Sequence, residues 1–529
     1  MPPNQNPSEF DKDSREPLLG AFNAYQNDNQ QPQSQQQINE IHHTGQREQI
    51  KGDIEVYDKI CQKSTPGNSA IQSEDLSFGH VFKQIINLST YPIISMLFHP
   101  GYHMINTIMI GRMENPVENL AIFGLASVTN SLFLMSVSIA FNNALSTLIS
   151  QAHGQKEPRL CSLYLNRQLI LNVMIYLPII FMLLFSEYIY LLIGQEPRIA
   201  REASHFSFLV IPGLFFFGIY HTYSKYLAGQ REVRFSMFTN MIAFFLHIPT
   251  IYFIVEYLGF GLHGVAIATS IHLFNRFWII QLMIRFSKFH AYRVSFRDQD
   301  CYKNLRPQFI MSLQSCGMII WSWWAFDMFT FMSSFMSMSV LAAQTVCRNL
   351  VLIFYMIPVG LTQATAISVG NKIGQKNIQG AKIYAFICTL LSVGWGSLSV
   401  IVMVVFDDYL IMLFTESEEV RALVHQAFVL IGLYIIFDCT QCIGSGIIAG
   451  VGRQGKGSVF TIIGFWLIGI PVCLVQVFYY KAGIEALWFG PLLSHMFNTT
   501  AYYVMVLKVD WNQILKESET RRLRDKKNA

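Results

Sequence analysis

From Gln84 to Lys508 the chain alternates between long apolar runs and short polar breaks. The runs fall near 84–110, 119–147, 162–185, 203–226, 233–256, 264–286, 306–337, 340–369, 381–406, 420–449, 459–480 and 486–508. Each approaches the ~20 apolar residues that a helix needs to cross hydrocarbon. They are too long and too continuous for barrel strands, and lipid leaves only helices and closed barrels as spanning forms. The pattern predicts an all-α membrane protein with about twelve transmembrane helices. Composition agrees: 52% of the 529 residues are hydrophobic and 14% charged, against roughly 25% charged in soluble domains.

Residues 1–80 have no such pattern. The run Gln30–Gln37 reads QQPQSQQQ, and its surroundings are polar and Asn/Gln-rich. Such a segment cannot bury enough apolar surface to offset its ordering entropy, which predicts a disordered tail. Met1 is not followed by a basic start and an apolar core, so no cleaved signal peptide is expected. Glu16-Pro17-Leu18-Leu19 matches an acidic dileucine signal only loosely, and we read it as chance.

Charge orients the spans. Lys156 and Arg159, Arg231 and Arg234, the segment from Arg285 to Arg306, Lys372 and Lys376, and Arg453 and Lys456 fall in alternate loops. The last residues add Arg521, Arg522, Arg524, Lys526 and Lys527. One opposite loop is acidic, with Asp407, Asp408, Glu416, Glu418 and Glu419. Basic loops stay inside, so both termini are expected in the cytoplasm and the number of spans is even. The net charge of +4 lies in loops and implies no nucleic-acid partner. Nine cysteines form no disulfide framework. The Cys439-Thr-Gln-Cys442 pair is expected to pack as small apolar side chains.

The halves repeat. Gly154-Gln155-Lys156 recurs as Gly374-Gln375-Lys376, Ala228-Gly229 as Ala449-Gly450, Ile248-Pro249 as Ile470-Pro471 and Gly261 as Gly483, at offsets of 220–222 residues. This spacing marks a duplication. An even number of spans per unit gives a parallel repeat, a plan that recurs in secondary transporters. The expected segments are a bundle at 84–286, a basic cytoplasmic linker at 287–305, a second bundle at 306–508 and a basic cytoplasmic tail at 509–529.

Two acids then stand out. Trp321–Thr330 reads WSWWAFDMFT, with Asp327 in its middle, and Asp438 lies in another apolar run. A lone carboxylate at membrane depth costs roughly 2.5–3.5 kcal/mol on insertion scales, so it is expected to serve a function. At the repeat offset Asp327 corresponds to Asn106 and Asp438 to Phe217, so both acids belong to the second half. In a low-dielectric cleft a carboxylate can hold a proton or a cationic substrate, but not both well. That competition is antiport in its simplest form. Trp321, Trp323 and Trp324 offer flat faces for lipophilic cations or serve only as packing.

On these residues the chain resembles the multidrug and toxic compound extrusion (MATE) transporters, eukaryotic type, over about 84–508. Asn143–Gly154 (NALSTLISQAHG) is similar to the family segment ending Gln-Ala-x-Gly. The stretch MIPVGLTQATAISVGNKIG, ending at Gly374, resembles its Ile-Pro-x-Gly and Val-Gly-Asn-x-x-Gly signature. Trp323–Asp327 and Phe437-Asp438, with the following SGIIAGVGRQ, resemble its acid-bearing seventh and tenth helices. The resemblance implies two six-helix bundles forming a central cleft. It implies export of organic cations, drugs or amphipathic metabolites in exchange for protons. Asp327 and Asp438 then fall on the coupling acids, and Trp323 on the substrate wall. Three positions depart from the family. Asn106 stands where many bacterial members have an aspartate, and Ser322 and Asn349 stand where eukaryotic or animal members have glutamates. Together with Trp323 they are cleft candidates.

No cofactor or metal is expected beyond a coupling proton or sodium ion. The expected partners are a small cationic or amphipathic substrate and the bilayer, with the protein a monomer in the plasma membrane or a vacuolar or vesicular membrane. Alternatives are sodium coupling and a flippase for lipid-linked precursors, which would favour a basic cavity. An intramembrane acyltransferase is disfavoured by the duplication. Gly450–Gly457 (GVGRQGKG) nearly completes a P-loop, but Gly457 replaces its hydroxyl residue, so a flexible turn is expected instead. His99, His103, His205, His221, His247, His272, His425 and His495 are expected as structural histidines. Arg276 and Arg348 are expected to balance acids or snorkel, and Pro249, Pro358 and Pro471 to kink helices. Asn498-Thr-Thr lies inside a span and is discounted as a glycosylation site.

Overall fold

The computed structural model describes residues 77–287, 289 and 294–527. The Gln-rich stretch, the dileucine-like stretch, Lys288 and Arg293 lie outside the described residues, as does the side chain of His99.

The described residues form helices and turns without strands. Ten helical stretches are long and apolar enough to cross a membrane. With Phe78–Ile110 and Ile484–Lys508 they make the twelve expected, in chain order. The first bundle holds α1 (Phe78–Ile110), α2 (Pro116–Gly154), α3 (Pro158–Leu184), α4 (Pro197–Gly229), α5 (Arg234–Tyr257) and α6 (Gly261–Arg285). The second holds α7 (Leu305–Ser333), α8 (Met338–Gly374), α9 (Ile378–Val405), α10 (Glu418–Val451), α11 (Gln454–Tyr479) and α12 (Ile484–Lys508). A further helix, α13, runs over Trp511–Lys527.

Local chemistry sets the ends. Pro116, Pro158 and Pro197 open their helices, where the missing N–H costs nothing. The Ser337 hydroxyl accepts from Val340 N at 3.3 Å to cap α8, and Asn377 Oδ1 accepts from Gly380 N at 2.7 Å to cap α9. The repeat is visible in the backbone. Lys156 and Lys376, which end equivalent helices, both adopt left-handed φ, at 58° and 60°. Wide π-turns follow the equivalent prolines Pro249 and Pro471, at Phe253–Tyr257 and Val475–Tyr479. At Pro249 and Pro471 the helix ladder thus widens locally, whereas Pro358 lies inside the continuous α8.

The outer half of each bundle, away from the segment between α6 and α7, has a core of its own. One joins Ile122, Phe206, Phe217 and Val265, the other Phe329, Leu350, Tyr434 and Trp488. Nearer the linker the bundles share packing: Val81 and Ile85 of α1 lie with Leu361 and Val369 of α8, and Phe141 of α2 with Cys316 of α7. Polar ties join the bundles in the same half. The Thr147 hydroxyl donates to the Ala449 carbonyl at 2.8 Å, and Gln151 Nε2 to the Gly450 carbonyl at 3.0 Å. Gln454 Nε2 reaches Thr147 Oγ1 at 2.9 Å, and Gln308 Nε2 the Tyr164 carbonyl at 2.9 Å.

At the centre of this seal Gly154 and Gly374 lie backbone to backbone. A Cβ on Gly154 would fall 3.0 Å from Gly374 Cα and collide with the Asn371 carbonyl. The obstacle is backbone and cannot rotate away. Gly154→Leu is therefore expected to wedge the linker end apart. Spin labels on Lys156 and Lys376 should report a longer distance in the variant. An unchanged distance would show that the contact does not set the closure.

Helix α13 lies across both bundles. Its Asp525 is buried and meets Arg167 of α3 at 3.1 Å, the Tyr164 hydroxyl at 2.8 Å and Asn304 Nδ2 at 2.9 Å. Glu517 pairs with Arg453 at 2.8 Å, Ser518 bonds Gln151 and Gln155, and Arg522 and Lys526 pair with Glu157. The stretch expected only as a basic tail is thus an ordered helix, held largely by its few acids. The described part of the linker is also structured: Asp298 and Asp300 accept from Arg159 at 3.0 and 3.1 Å, and Arg167 donates to the Asp300 carbonyl. Asp298 is held below the ordinary carboxylate range, first by the Asp300 backbone N–H and then by Arg159.

The P-loop-like stretch differs from the flexible turn expected. Gly452, at φ 79°, ends α10, and α11 begins at Gln454. Gly455 and Gly457 sit where a Cβ would press on Gln314 and on Met318 Sδ, at 2.8 and 2.7 Å. These glycines allow close approach of α7 and make no phosphate cradle.

Candidate functional site

The second bundle places Asp438 near the middle of α10, with its side chain 8% exposed. Its Oδ1 lies 3.3 Å from His495 Nε2 on α12. The other ring nitrogen, His495 Nδ1, is 2.8 Å from the Pro491 carbonyl and can only donate there. Nε2 therefore faces the acid, and a favourable contact requires a proton between them. Either a neutral acid donates to Nε2, or an imidazolium donates to the carboxylate.

Aromatic walls enclose the pair. The His495 ring lies 4.6 Å from Tyr434, 5.1 Å from Phe465 and 5.8 Å from Phe326. Cys442, one turn from Asp438, brings its Sγ to 3.9 Å from Oδ1. Tyr355 of α8 lies close to Trp323 and Cys442 beside the acid. Trp323 thus belongs to the surroundings of Asp438. Trp321 instead packs edge-on against Trp466 at 5.8 Å, and its carbonyl accepts from the Trp466 indole.

Asp327 does not fit the expectation of a second buried acid. Its neighbour Phe326 turns toward His495, and a helix step of about 100° sends Asp327 elsewhere. Its side chain is 49% exposed and takes Arg348 Nη2 of α8 at 2.7 Å. Arg348 Nη1 also donates to Thr330 Oγ1 at 3.1 Å. Arg348 therefore balances an acid, one of its two expected roles, and a ligand cation reaching Asp327 has to displace it. Asn349 lies beside Arg348 and is partly exposed, while Ser322 bonds back to the Ile319 carbonyl within its own helix.

The first bundle has the opposite character. Asn106 is fully buried, donating to Thr269 Oγ1 at 2.9 Å and meeting His247 Nε2 at 2.9 Å. Phe217, the counterpart of Asp438, has the Arg276 guanidinium 5.3 Å from its ring. Arg276 lies closer still over Tyr220, at 4.2 Å, and is buried. A cation therefore lies beside the position equivalent to the acid of the second bundle.

Of the residues singled out from sequence, Asp438 and Trp323 share Tyr355 as a neighbour, whereas Asp327, Asn106, Ser322 and Asn349 sit in other surroundings. Sequence reading passed over Tyr355 and Tyr434 and treated His495 as structural. One signal was available: His495 follows His272 by 223 residues, one more than the largest repeat offset, and only in the second half is an acid placed to meet it.

The comparisons agree with this architecture. The family model described as MatE matches residues 92–253 and 315–475, one in each bundle. The chain is 26% identical over 442 residues to multidrug and toxin extrusion protein 1 of Xenopus tropicalis, covering 83% of this chain and 76% of that one. In fold it is similar to the eukaryotic MATE transporter AtDTX14, with a TM-score of 0.78, 21% identity, and 84% and 99% of the two chains covered. It is also similar to the Vibrio cholerae MATE transporter VcmN in the bent form, with a TM-score of 0.73, 14% identity, and 84% and 98% covered. Two matched repeats in two six-helix bundles of a multi-pass membrane protein establish that the chain belongs to the MatE family, a family of transporters and not of enzymes.

Proposed function

We propose that the protein is a secondary antiporter that exports organic cations or amphipathic compounds in exchange for protons, by alternating access between its two bundles. The observation carrying this reading is the buried Asp438–His495 pair, whose contact is favourable only with a proton present. A cationic substrate approaching Asp438 competes for the same charge, and the proton displaces it in turn. Trp323, Tyr355 and Tyr434 supply aromatic faces suited to lipophilic cations. The names of the related extrusion proteins support the same class of cargo. Asp327 is the second acidic position, where a bound cation exchanges with Arg348.

The orientation we propose puts the linker, α13 and the basic loops on the cytoplasmic side. Two arginines at the other end, Arg198 and Arg201, pair with Glu118 and Glu187 and do not weaken this assignment. In the acidic loop there, Asp408 is held below its ordinary range, first by the hydrogen bond from Arg421. The conformation described is then the one closed to the cytoplasm.

The test is uptake of a fluorescent organic cation into proteoliposomes with an imposed pH gradient or, separately, a sodium gradient. Uptake driven by the pH gradient alone is the expected result. Uptake driven by sodium alone would change the coupling ion, and no gradient-driven uptake would remove the reading.

A further inference from the structure

We propose that the end of the first bundle remote from the linker carries a divalent transition-metal site, suited to Zn²⁺, formed by Glu202 and His205 of α4 and His263 of α6. The three side chains bring one donor atom each within 4.8 Å of one another. His205 Nδ1 lies 2.7 Å from His263 Nε2, and His263 Nε2 lies 3.6 Å from Glu202 Oε2. Zinc binds imidazole nitrogen and carboxylate oxygen at about 2.0–2.2 Å. Two donors on a tetrahedral ion of that size stand about 3.3 Å apart. The acid–imidazole distance already suits an ion, and the imidazole pair has to open by roughly half an ångström. At 2.7 Å one facing ring nitrogen has to donate to the other. A metal takes both lone pairs, and the displaced proton passes to the outer nitrogen of that ring or to water.

The donors are presented by helices already locked together. Below the site, Gly213 of α4 packs directly on Ser270 of α6. A Cβ at Gly213 would fall 2.6 Å from Ser270 Cα, and Gly213 N donates to Ser270 Oγ at 2.9 Å. Only side chains therefore need to adjust on binding. The nearby guanidiniums do not compete for Glu202, because Arg198 is paired with Glu118 and Arg201 with Glu187. Borderline nitrogen donors select Zn²⁺ or a neighbouring transition metal over Mg²⁺ or Ca²⁺, which prefer all-oxygen sites. Three protein ligands leave the fourth position to water.

All three ligands belong to one bundle, so the ion fastens α4 to α6 without spanning the moving parts. Calorimetric titration of untagged full-length protein in detergent with Zn²⁺ tests the site. One equivalent bound per chain is expected, with a rise in Tm that Mg²⁺ does not produce. His205→Ala and His263→Ala should each lose that equivalent and the Tm rise, and Glu202→Gln should weaken both. The side chains are partly or fully exposed, and each variant's elution on size exclusion confirms that it is folded. Absence of a stoichiometric site in the unmutated protein, or retention of the same site in both histidine variants, overturns the proposal. The readout is independent of transport, so it stands or falls apart from the antiport reading.

Discussion

Asp438→Asn is expected to reduce pH-driven uptake of an organic cation to the level of empty proteoliposomes, while the protein remains inserted and folded. The substitution keeps the shape of the side chain. The asparagine amide can donate to His495 Nε2, which lies 3.3 Å from the acid, so neither group is left buried without a partner. Only the ability to gain and lose a proton disappears. Cation binding should weaken too, because the negative charge that attracts it is gone. A variant that accumulated substrate at the unmutated rate under the same pH gradient would remove Asp438 from coupling. His495→Gln makes a useful companion. It keeps a polar partner for the acid but cannot hold a proton, and it should shift the pH dependence of uptake if the two side chains act as one unit.

The second large effect is expected at the other end of the molecule. Arg167 and Asp525 are 1% and 2% exposed and 3.1 Å apart. Removing one member of a buried pair leaves the other as an uncompensated charge and costs about 3–5 kcal/mol. Asp525→Ala should therefore lower the Tm of purified protein clearly and release α13 from the seal. Replacing both members with apolar residues of similar volume, Arg167→Met with Asp525→Leu, should recover only part of the loss, because Tyr164 and Asn304 also lose their acceptor. A Tm unaffected by the single change would mean that α13 is only loosely seated.

Much of this architecture could be read before any coordinates. Twelve apolar runs gave twelve helices, because lipid enforces helix over such lengths. The observed helices extend past the apolar runs on the linker side: the run near 340–369 belongs to a helix spanning Met338–Gly374. There the helix continues beyond its apolar run while packing against the other bundle. The Gly-Gln-Lys repeat pointed to a shared helix end, and the matching left-handed lysines bear that out.

Partners were harder to see than positions. Nothing local in Phe437-Asp438 names His495, which lies on another helix and reaches the acid only through the fold. The burial of Asp327 could not be read from an apolar run, because its orientation depends on which helix face meets α8 and Arg348. Helix α13 was hidden by its charge. Its lysines and arginines read as a tail, and the function of Glu517, Glu519 and Asp525 appears only once the basic loops of both bundles surround them.

The seating of α13 has a practical consequence for anyone attaching a reporter. Helix α13 is described as far as Lys527, two residues after the carboxylate locked beneath Arg167. A fluorescent protein fused there without a spacer would pull on the latch and shift the resting balance of the carrier, so that tag and cargo would both read out as changes in turnover.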